Sequence, residues 1–173
     1  MSSIFKISIR QVKAARALLA WSQEDLAEAA AISIPTVRRL EAKDGPLGGR
    51  TETIEKLRGA LERAGIEFIP AGGSGIGHGV AYRQPYGEDR DGKKSLTGPQ
   101  IRAARALLGW TAGDLSRKSA VSLRTIQRAE LVSDRTSMTA PNEVAIRRAL
   151  ESAGAELIDE NGGGPGVRLR KQT

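Results

Sequence analysis

Cysteine is absent from the 173-residue sequence, and histidine occurs once, as His78. Without cysteine there is no disulfide framework and no thiolate metal site, and one histidine is too few for an imidazole metal site. The sequence also offers no recognisable pair of nucleophile and base and no placed pair of carboxylates. We therefore expect no catalytic residue, no metal and no cofactor.

Aromatic residues and long apolar runs are also scarce. An aromatic content of 3% argues against single-strand binding by base stacking, which needs several aromatic platforms. No apolar run approaches the roughly 20 residues that cross a bilayer. The N-terminal segment MSSIFKISIR lacks the long apolar core of a signal peptide. We expect a cytoplasmic protein with no membrane partner.

Positive charge is in excess. The net charge is +7, and the pI is near 10.1. A basic chain attracts polyanions, nucleic acid first and anionic membranes second. A basic surface that serves solubility alone is the alternative.

An internal repeat organises the chain. At an offset of 89 residues the same residue recurs at Gln11, Ala14, Ala15, Arg16, Ala17, Leu18, Leu19, Trp21, Asp25, Leu26, Ala31, Ser33, Thr36, Arg39 and Glu41. Such self-similarity indicates one module used twice, in halves of about 80 residues. We predict a first domain over 1–83, a linker over 84–97 and a second domain over 98–173.

Each copy predicts three helices in succession. Helical spacing of apolar residues marks residues 9–20 as the first. Ser22 with Asp25, repeated as Thr111 with Asp114, is typical of a capped start to the second. Ser33 and Ser122 follow a turn, and we expect them to cap the third, which runs to about Ala42 in the first copy.

The end of each copy predicts a fourth helix and a β-hairpin. Thr51 is expected to cap a helix over 52–64, and Val144 is expected on the buried stripe of its copy. The period then changes to that of strands, over 66–70 with 79–83 and over 155–159 with 166–170. Glycine-rich segments 72–79 and 161–166 are interpreted as hairpin loops. An isolated hairpin is marginally stable, so we expect the two to pair with each other or with another chain.

The motif W-S-Q-E-D-L-A followed by S-x-x-T-V-x-R-x-E, within residues 21–41, resembles the Cro/CI-type helix-turn-helix of the XRE family of transcriptional regulators. The resemblance covers residues 9–64 and 98–153. It implies a mainly α fold: two lambda-repressor-like, five-helix DNA-binding domains, each here followed by a short β-hairpin, in a pseudo-two-fold arrangement. Helix 3 would lie in the major groove and helix 2 would brace it across the backbone.

The resemblance also implies which residues contact DNA. Arg124 can pair with guanine and Gln127 with adenine, while a solvated helix face is the alternative for both. Arg38 and Arg39 point about 100° apart, so one would enter the groove and the other would meet phosphate. Thr36 and Thr125 either contact DNA or bond locally. The full expected set is Gln23, Ser33, Ile34, Pro35, Thr36, Arg38, Arg39, Lys43, Thr111, Ser122, Arg124, Thr125, Gln127 and Arg128.

The resemblance further suggests two structural ion pairs, Arg16 with Glu41 and Arg105 with Glu130. Other positions depart from the family pattern. Ala31 and Ala120 stand where glycine usually makes the turn. Ile34 and Pro35 could touch thymine methyl groups but donate no hydrogen bond to a base. The second copy has Ala112 in place of Gln23, so two identical half-sites are not expected.

The expected function is sequence-specific binding of a double-stranded DNA operator by two recognition helices on one chain, with a role in transcription regulation. The alternative is a protein-interaction module, an anti-activator or antitoxin-like protein, whose apolar helix 3 tip binds another regulator. Self-association through the β-hairpins is a further expectation.

Overall fold

The computed structural model describes residues 6–72, 76–84, 95–133, 136–159 and 164–170. Within these ranges the chain forms eight helices and one four-stranded antiparallel sheet, a mixed α/β structure in which four helices and two strands occur in the same order twice. The elements are α1 Ile9–Leu19, α2 Gln23–Ala29, α3 Ile34–Glu41, α4 Thr51–Arg63, β1 Ile66–Ile69, β2 Ile76–Tyr82, α5 Gly98–Leu108, α6 Ala112–Ser119, α7 Leu123–Glu130, α8 Ala140–Ser152, β3 Ala155–Ile158 and β4 Gly166–Arg170.

Side-chain hydrogen bonds cap the starts of α2 and α6. Ser22 accepts a hydrogen bond from the Asp25 amide, and the Asp25 carboxylate accepts one from the Ser22 amide. Thr111 and Asp114 repeat this box at α6. Each box satisfies two amides that have no partner inside the helix. The predicted caps at Ser22 and Thr111 are confirmed.

The hydrophobic core runs through both halves. The apolar residues that the repeat places on inward helix faces are buried, and equivalent positions of the two copies are buried alike. They include Val12, Ala15, Leu18, Leu26 and Val37 in the first half and Ile101, Ala104, Leu107, Leu115 and Ile126 in the second. Removing these side chains from water is the main stabilising contribution to each helical layer.

Helices α1 and α5 pack against each other at the centre of the molecule. Arg10, near the start of α1, donates from Nη1 to the Leu107 carbonyl near the end of α5, at 3.5 Å. Arg102, near the start of α5, donates from Nε to the Ala17 carbonyl near the end of α1, at 2.9 Å. The two helices are therefore antiparallel, and each arginine donates to a carbonyl in the last turn of the other helix.

The sheet joins the halves a second time. Its strand order is β1-β2-β4-β3, so the predicted hairpins pair with each other within the chain. Val80 lies opposite Val167, Gly79 opposite Arg168, and Ala81 opposite Gly166. Because β2 and β4 are equivalent in the repeat and antiparallel, an approximate two-fold axis passes near the Val80–Val167 pair. The antiparallel α1 and α5 are consistent with the same axis.

Two buried glutamines connect the helical layer to the sheet. Gln11 accepts at Oε1 from the Ser8 amide and donates from Nε2 to the carbonyls of Ile69 and Gly79, at 3.1 and 3.0 Å. Gln100 makes the same three contacts, with Thr97, Ile158 and Gly166. The side chains are 0% and 2% exposed. A buried amide with these bonds satisfied holds the hairpin in one register against its helix.

Replacing Gln100 by leucine is expected to destabilise the protein by about 2 kcal/mol, because the Ile158 and Gly166 carbonyls and the Thr97 amide would lose buried partners. Urea unfolding followed by circular dichroism measures the change. Gln84→Leu, at an exposed position, is the control and should leave the free energy of unfolding nearly unchanged. Equal stability of Gln100→Leu and the wild type would contradict this role.

Several sequence expectations are corrected. Each half has four helices in the described residues, where the resemblance implied five, because the chain enters β1 or β3 directly after the fourth helix. The residue that caps α4 is Arg50, without a side-chain hydrogen bond, and Thr51 is the first helical residue. Val144 is 48% exposed, because it lies about 200° around α8 from the buried Ile146.

The hairpin loop expected over 72–79 in the first half ends earlier than predicted. Strand β2 begins at Ile76, so His78 lies in a strand. Burial lowers the pKa of His78, and the nearby Arg10 charge lowers it further. At the other end of the expected linker, Leu96 is fully buried and Thr97 caps α5, so both pack as part of the second half. Residues 85–94 lie outside the described part of the chain, as do 73–75 and 161–163 of the two expected loops.

Candidate nucleic-acid interface

A short turn joins α2 to α3 and, in the second half, α6 to α7. Ala31 has φ 50° and Ala120 has φ 57°, so both alanines take the left-handed conformation that glycine adopts without cost. The strain is about 1 kcal/mol at each position. In the first turn the Ile32 amide donates to the Ala27 carbonyl at 3.0 Å, which closes the end of α2. The left-handed residue of the turn therefore occupies the same repeat position in both halves.

Helix α3 begins at a serine cap and presents one face to the core. Ser33 Oγ accepts from the Thr36 amide, and Pro35 lies in the first turn, where its missing N–H leaves no bond unmade. Val37 and Leu40 are buried, 1% and 9% exposed. The opposite face is open to solvent and carries Ser33, Pro35, Arg38 and Arg39, with Ile34 and Thr36 half-buried.

Helix α7 repeats this arrangement with different side chains outside. Ser122 accepts from the Thr125 amide, and Ile126 and Ala129 face the core, 0% and 5% exposed. The outer face exposes Ser122, Leu123, Arg124, Gln127 and Arg128, and Thr125 is half-buried. The sequence-predicted residues of each helix are thus brought together on one exposed face.

The polar side chains of the two faces differ in their partners. Arg38 Nη2 donates to Glu24 Oε1 at 2.8 Å, across the α2–α3 pair. Thr36 and Thr125 each share a hydrogen bond with the preceding cap serine at 2.8 Å, which is the local bonding considered from the sequence. Arg124, Gln127 and Arg128 are exposed, and no hydrogen bond or ion pair joins them to another described residue.

A buried ion pair lies behind each outer face. Arg16 donates from Nε and Nη2 to the two Glu41 oxygens, both at 2.7 Å, and from Nη1 to the Trp21 carbonyl at 2.7 Å. In the second half, Arg105 Nε and Nη2 lie 2.6 and 2.8 Å from the oxygens of Glu130. The pairs implied by the resemblance are present, and each joins the first helix of its half to the end of α3 or α7.

Gln23, Lys43 and Thr111 complete the set of predicted contact residues. Gln23 is half-buried and donates from Nε2 to Glu41 Oε2 at 2.7 Å, so it buttresses the end of α3 in this structure. Lys43 is exposed in the loop after α3. Thr111 is exposed and bonds to Asp114 as the cap of α6.

Three carboxylates on α2 and α6, the helices that precede α3 and α7, are held in their charged form. A backbone hydrogen bond lowers the pKa of Glu24, and its bond to Arg38 lowers it further. Hydrogen bonds from Ser22 lower the pKa of Asp25, and those from Thr111 lower that of Asp114. These groups are therefore ionised at neutral pH and contribute full negative charges to the field around each helix pair.

The described residues contain no group of three or more His, Asp or Glu side chains that could hold a metal ion. Among the described helices, none has both the length and the apolar character needed to cross a bilayer.

Comparisons of the chain with protein-family models, with curated proteins and with solved structures found no match.

Proposed function

We propose that this protein is a sequence-specific double-stranded DNA-binding regulator of transcription, built as two Cro/CI-type helix-turn-helix units on one chain. The observation that carries the proposal is the pair of exposed outer faces on α3 and α7, each bearing arginine, hydroxyl or amide side chains on a helix whose other face is buried. An α-helix of this kind fits the major groove of B-DNA.

The approximate two-fold axis supports the proposal. It relates α3 to α7 through the α1–α5 and β2–β4 contacts, as two subunits of a dimer would be related. A two-fold relation between helix pairs matches the symmetry of an operator with two inverted half-sites. Covalent linkage in one chain raises the effective concentration of the second unit once the first is bound.

The roles of individual residues follow from their chemistry. Arg124 would donate two hydrogen bonds to guanine and Gln127 would bond adenine. Arg39 and Arg128 occupy equivalent exposed positions and would meet phosphate, with Lys43 beside Arg39 along the backbone. Arg16–Glu41 and Arg105–Glu130 would hold the recognition helices without touching DNA.

The test begins with selection of duplexes from a random library by the full chain, followed by fluorescence anisotropy on the selected duplex. Binding should weaken as salt rises from about 50 to 200 mM, because phosphate contacts release counterions. Arg124→Ala should reduce discrimination at one base pair by about 1–3 kcal/mol and leave the fold unchanged. Failure of the wild-type chain to retain any duplex at about 50 mM salt would reject the proposal.

The second candidate is a protein-interaction module on the same scaffold. Leu123, 42% exposed, opens α7, and Leu131, 84% exposed, follows its end. Exposed large apolar side chains at both ends of one helix suit contact with another protein better than contact with phosphate. No duplex retention, together with loss of a co-purifying regulator in Leu123→Ser, would favour this candidate.

A further inference from the structure

The first face, formed by the surface side chains of α2 and α3, and the second face, formed by those of α6 and α7, carry opposite net charge. On α2 and α3, three exposed carboxylates, Glu24, Asp25 and Glu28, stand against two arginines, Arg38 and Arg39. On α6 and α7 there is one carboxylate, Asp114, against four cations: Arg117, Lys118, Arg124 and Arg128. Glu41, which is buried, and Glu130, which is half-buried, are neutralised by their arginines. The first face is slightly negative, and the second has an excess of three positive charges.

Single substitutions between the copies explain the difference. Glu28 of α2 corresponds to Arg117 of α6, and Pro35 of α3 corresponds to Arg124 of α7. Glu24 corresponds to Gly113, so only the first half places a carboxylate where it pairs with an arginine of the third helix. Each change moves the second face toward positive charge.

The arginines also differ in their freedom to bind an anion. Arg38 is held by Glu24 at 2.8 Å, so a phosphate would have to compete with a carboxylate for its guanidinium. Arg124 and Arg128 have no such partner among the described residues. On α3, Arg39 likewise has no carboxylate partner within the described ranges, and Lys43 lies further along the loop. A polyanion such as DNA is repelled by the carboxylates of one face and attracted to the cations of the other.

The side chains on α3 and α7 also favour base recognition by the second half. Ile34 and Pro35 offer apolar contact alone, whereas Arg124 and Gln127 offer hydrogen bonds that distinguish base pairs. Both the affinity and the base preference therefore concentrate in the second half.

We infer that the two helix-turn-helix units contribute unequally to DNA binding. The pair α6–α7 supplies most of the affinity and the base reading, and the first half acts mainly as a brace, a support that holds α6–α7 in position. This inference rests on the proposed function. The ligand it implies is an asymmetric duplex, with one strongly specified half-site containing guanine or adenine and one weakly specified half-site opposite α3. The brace acts through α1 packed on α5 and β2 paired with β4.

The repeat provides a matched pair of variants for the test, since Arg39 and Arg128 are equivalent and both exposed. On the selected duplex, Arg128→Ala should weaken binding about tenfold and make the salt dependence shallower, while Arg39→Ala should weaken it less than about twofold. Glu28→Arg, which copies Arg117 into α2, should strengthen binding. Circular dichroism and thermal unfolding show that each exposed variant keeps its fold.

The outcomes separate this inference from the proposed function. Absence of duplex binding by the wild type rejects the function itself. If the wild type binds and Arg39→Ala weakens duplex binding as much as Arg128→Ala does, the proposed function stands and the inference of unequal contributions is wrong. Selected sequences with two equally specified half-sites would overturn it as well.

Discussion

Replacing Glu41 by alanine is expected to destabilise the protein by about 3–5 kcal/mol, because the change leaves the Arg16 charge without its carboxylate. The Arg16 side chain is 18% exposed and that of Glu41 is 5% exposed, so water cannot replace the lost partner in full. Gln23 Nε2 loses its acceptor as well. Since domains of this size are stable by only about 5–15 kcal/mol, a large share of the stability would be lost. Urea unfolding at neutral pH measures it.

The control for this change is an exposed ion pair on the same chain. Glu52→Ala breaks a pair with Lys56 in which the Glu52 side chain is 74% exposed, and it should leave the free energy of unfolding nearly unchanged. A double replacement, Arg16→Met with Glu41→Leu, should recover much of the loss, because it removes both buried charges together. Equal destabilisation by Glu41→Ala and Glu52→Ala would show that burial of the pair is not what matters.

Replacing Gly79 by alanine is expected to disrupt the pairing of β2 with β4, with a loss of about 3 kcal/mol. A Cβ atom at Gly79 would lie 2.4 Å from the Val167 carbonyl oxygen, and one at Gly166 would lie 2.4 Å from that of Val80. Both of these oxygens belong to the backbone of the central strand pair. Unlike the end of a flexible side chain, they cannot move aside without separating the strands. Gly166→Ala should therefore have a similar effect.

Two measurements identify the cause of the Gly79→Ala effect. Amide exchange at Val80 and Val167 should become faster than in the wild type, since local opening of the strand pair exposes these groups. Gly48→Ala is the matched control, because an added Cβ there meets no atom within 4 Å. A Gly79→Ala variant as stable as Gly48→Ala, with unchanged exchange, would mean that the strands have room for the methyl group.

Much of the local structure was predictable because its causes lie within a few residues. The caps at Ser22, Ser33 and Thr111 require only a hydroxyl oxygen and an amide two or three residues on. The left-handed alanines at Ala31 and Ala120 were implied by the resemblance, since glycine usually makes the turn at this position of the family pattern. The alternation of β1 and β2 likewise shows in neighbouring residues.

Expectations failed where the cause was not local. Arg50 caps α4 in place of Thr51, although threonine is by far the better capping residue. Val144 is exposed because the position of α8 against its neighbours turns Ile146 and Leu150 inward. Val144 and Ile146 lie about 200° apart around α8, so one helix face cannot bury both, and packing decides which of them is buried.

The role of Gln11 and Gln100 was missed for a related reason. The repeat retains both glutamines, which is a visible signal, but their carbonyl partners lie 58 to 68 residues away along the chain. A polar residue that recurs on an otherwise apolar helix face could have indicated a buried hydrogen-bonding role. Its partners became identifiable only when the hairpins were placed against α1 and α5.

The amino-acid sequence by itself determined the repeat, the order of helices and hairpins, the starts of α2, α3, α6 and α7, and the side chains available on α3 and α7. These depend on periodicity and on hydrogen bonds between near neighbours. Tertiary structure decided that the two hairpins join into one sheet, that α1 and α5 pack as antiparallel partners, and that Arg38 is held by Glu24 while Arg128 meets no carboxylate in the described part of the chain. Contacts between distant segments depend on shape and burial, which only the assembled chain has.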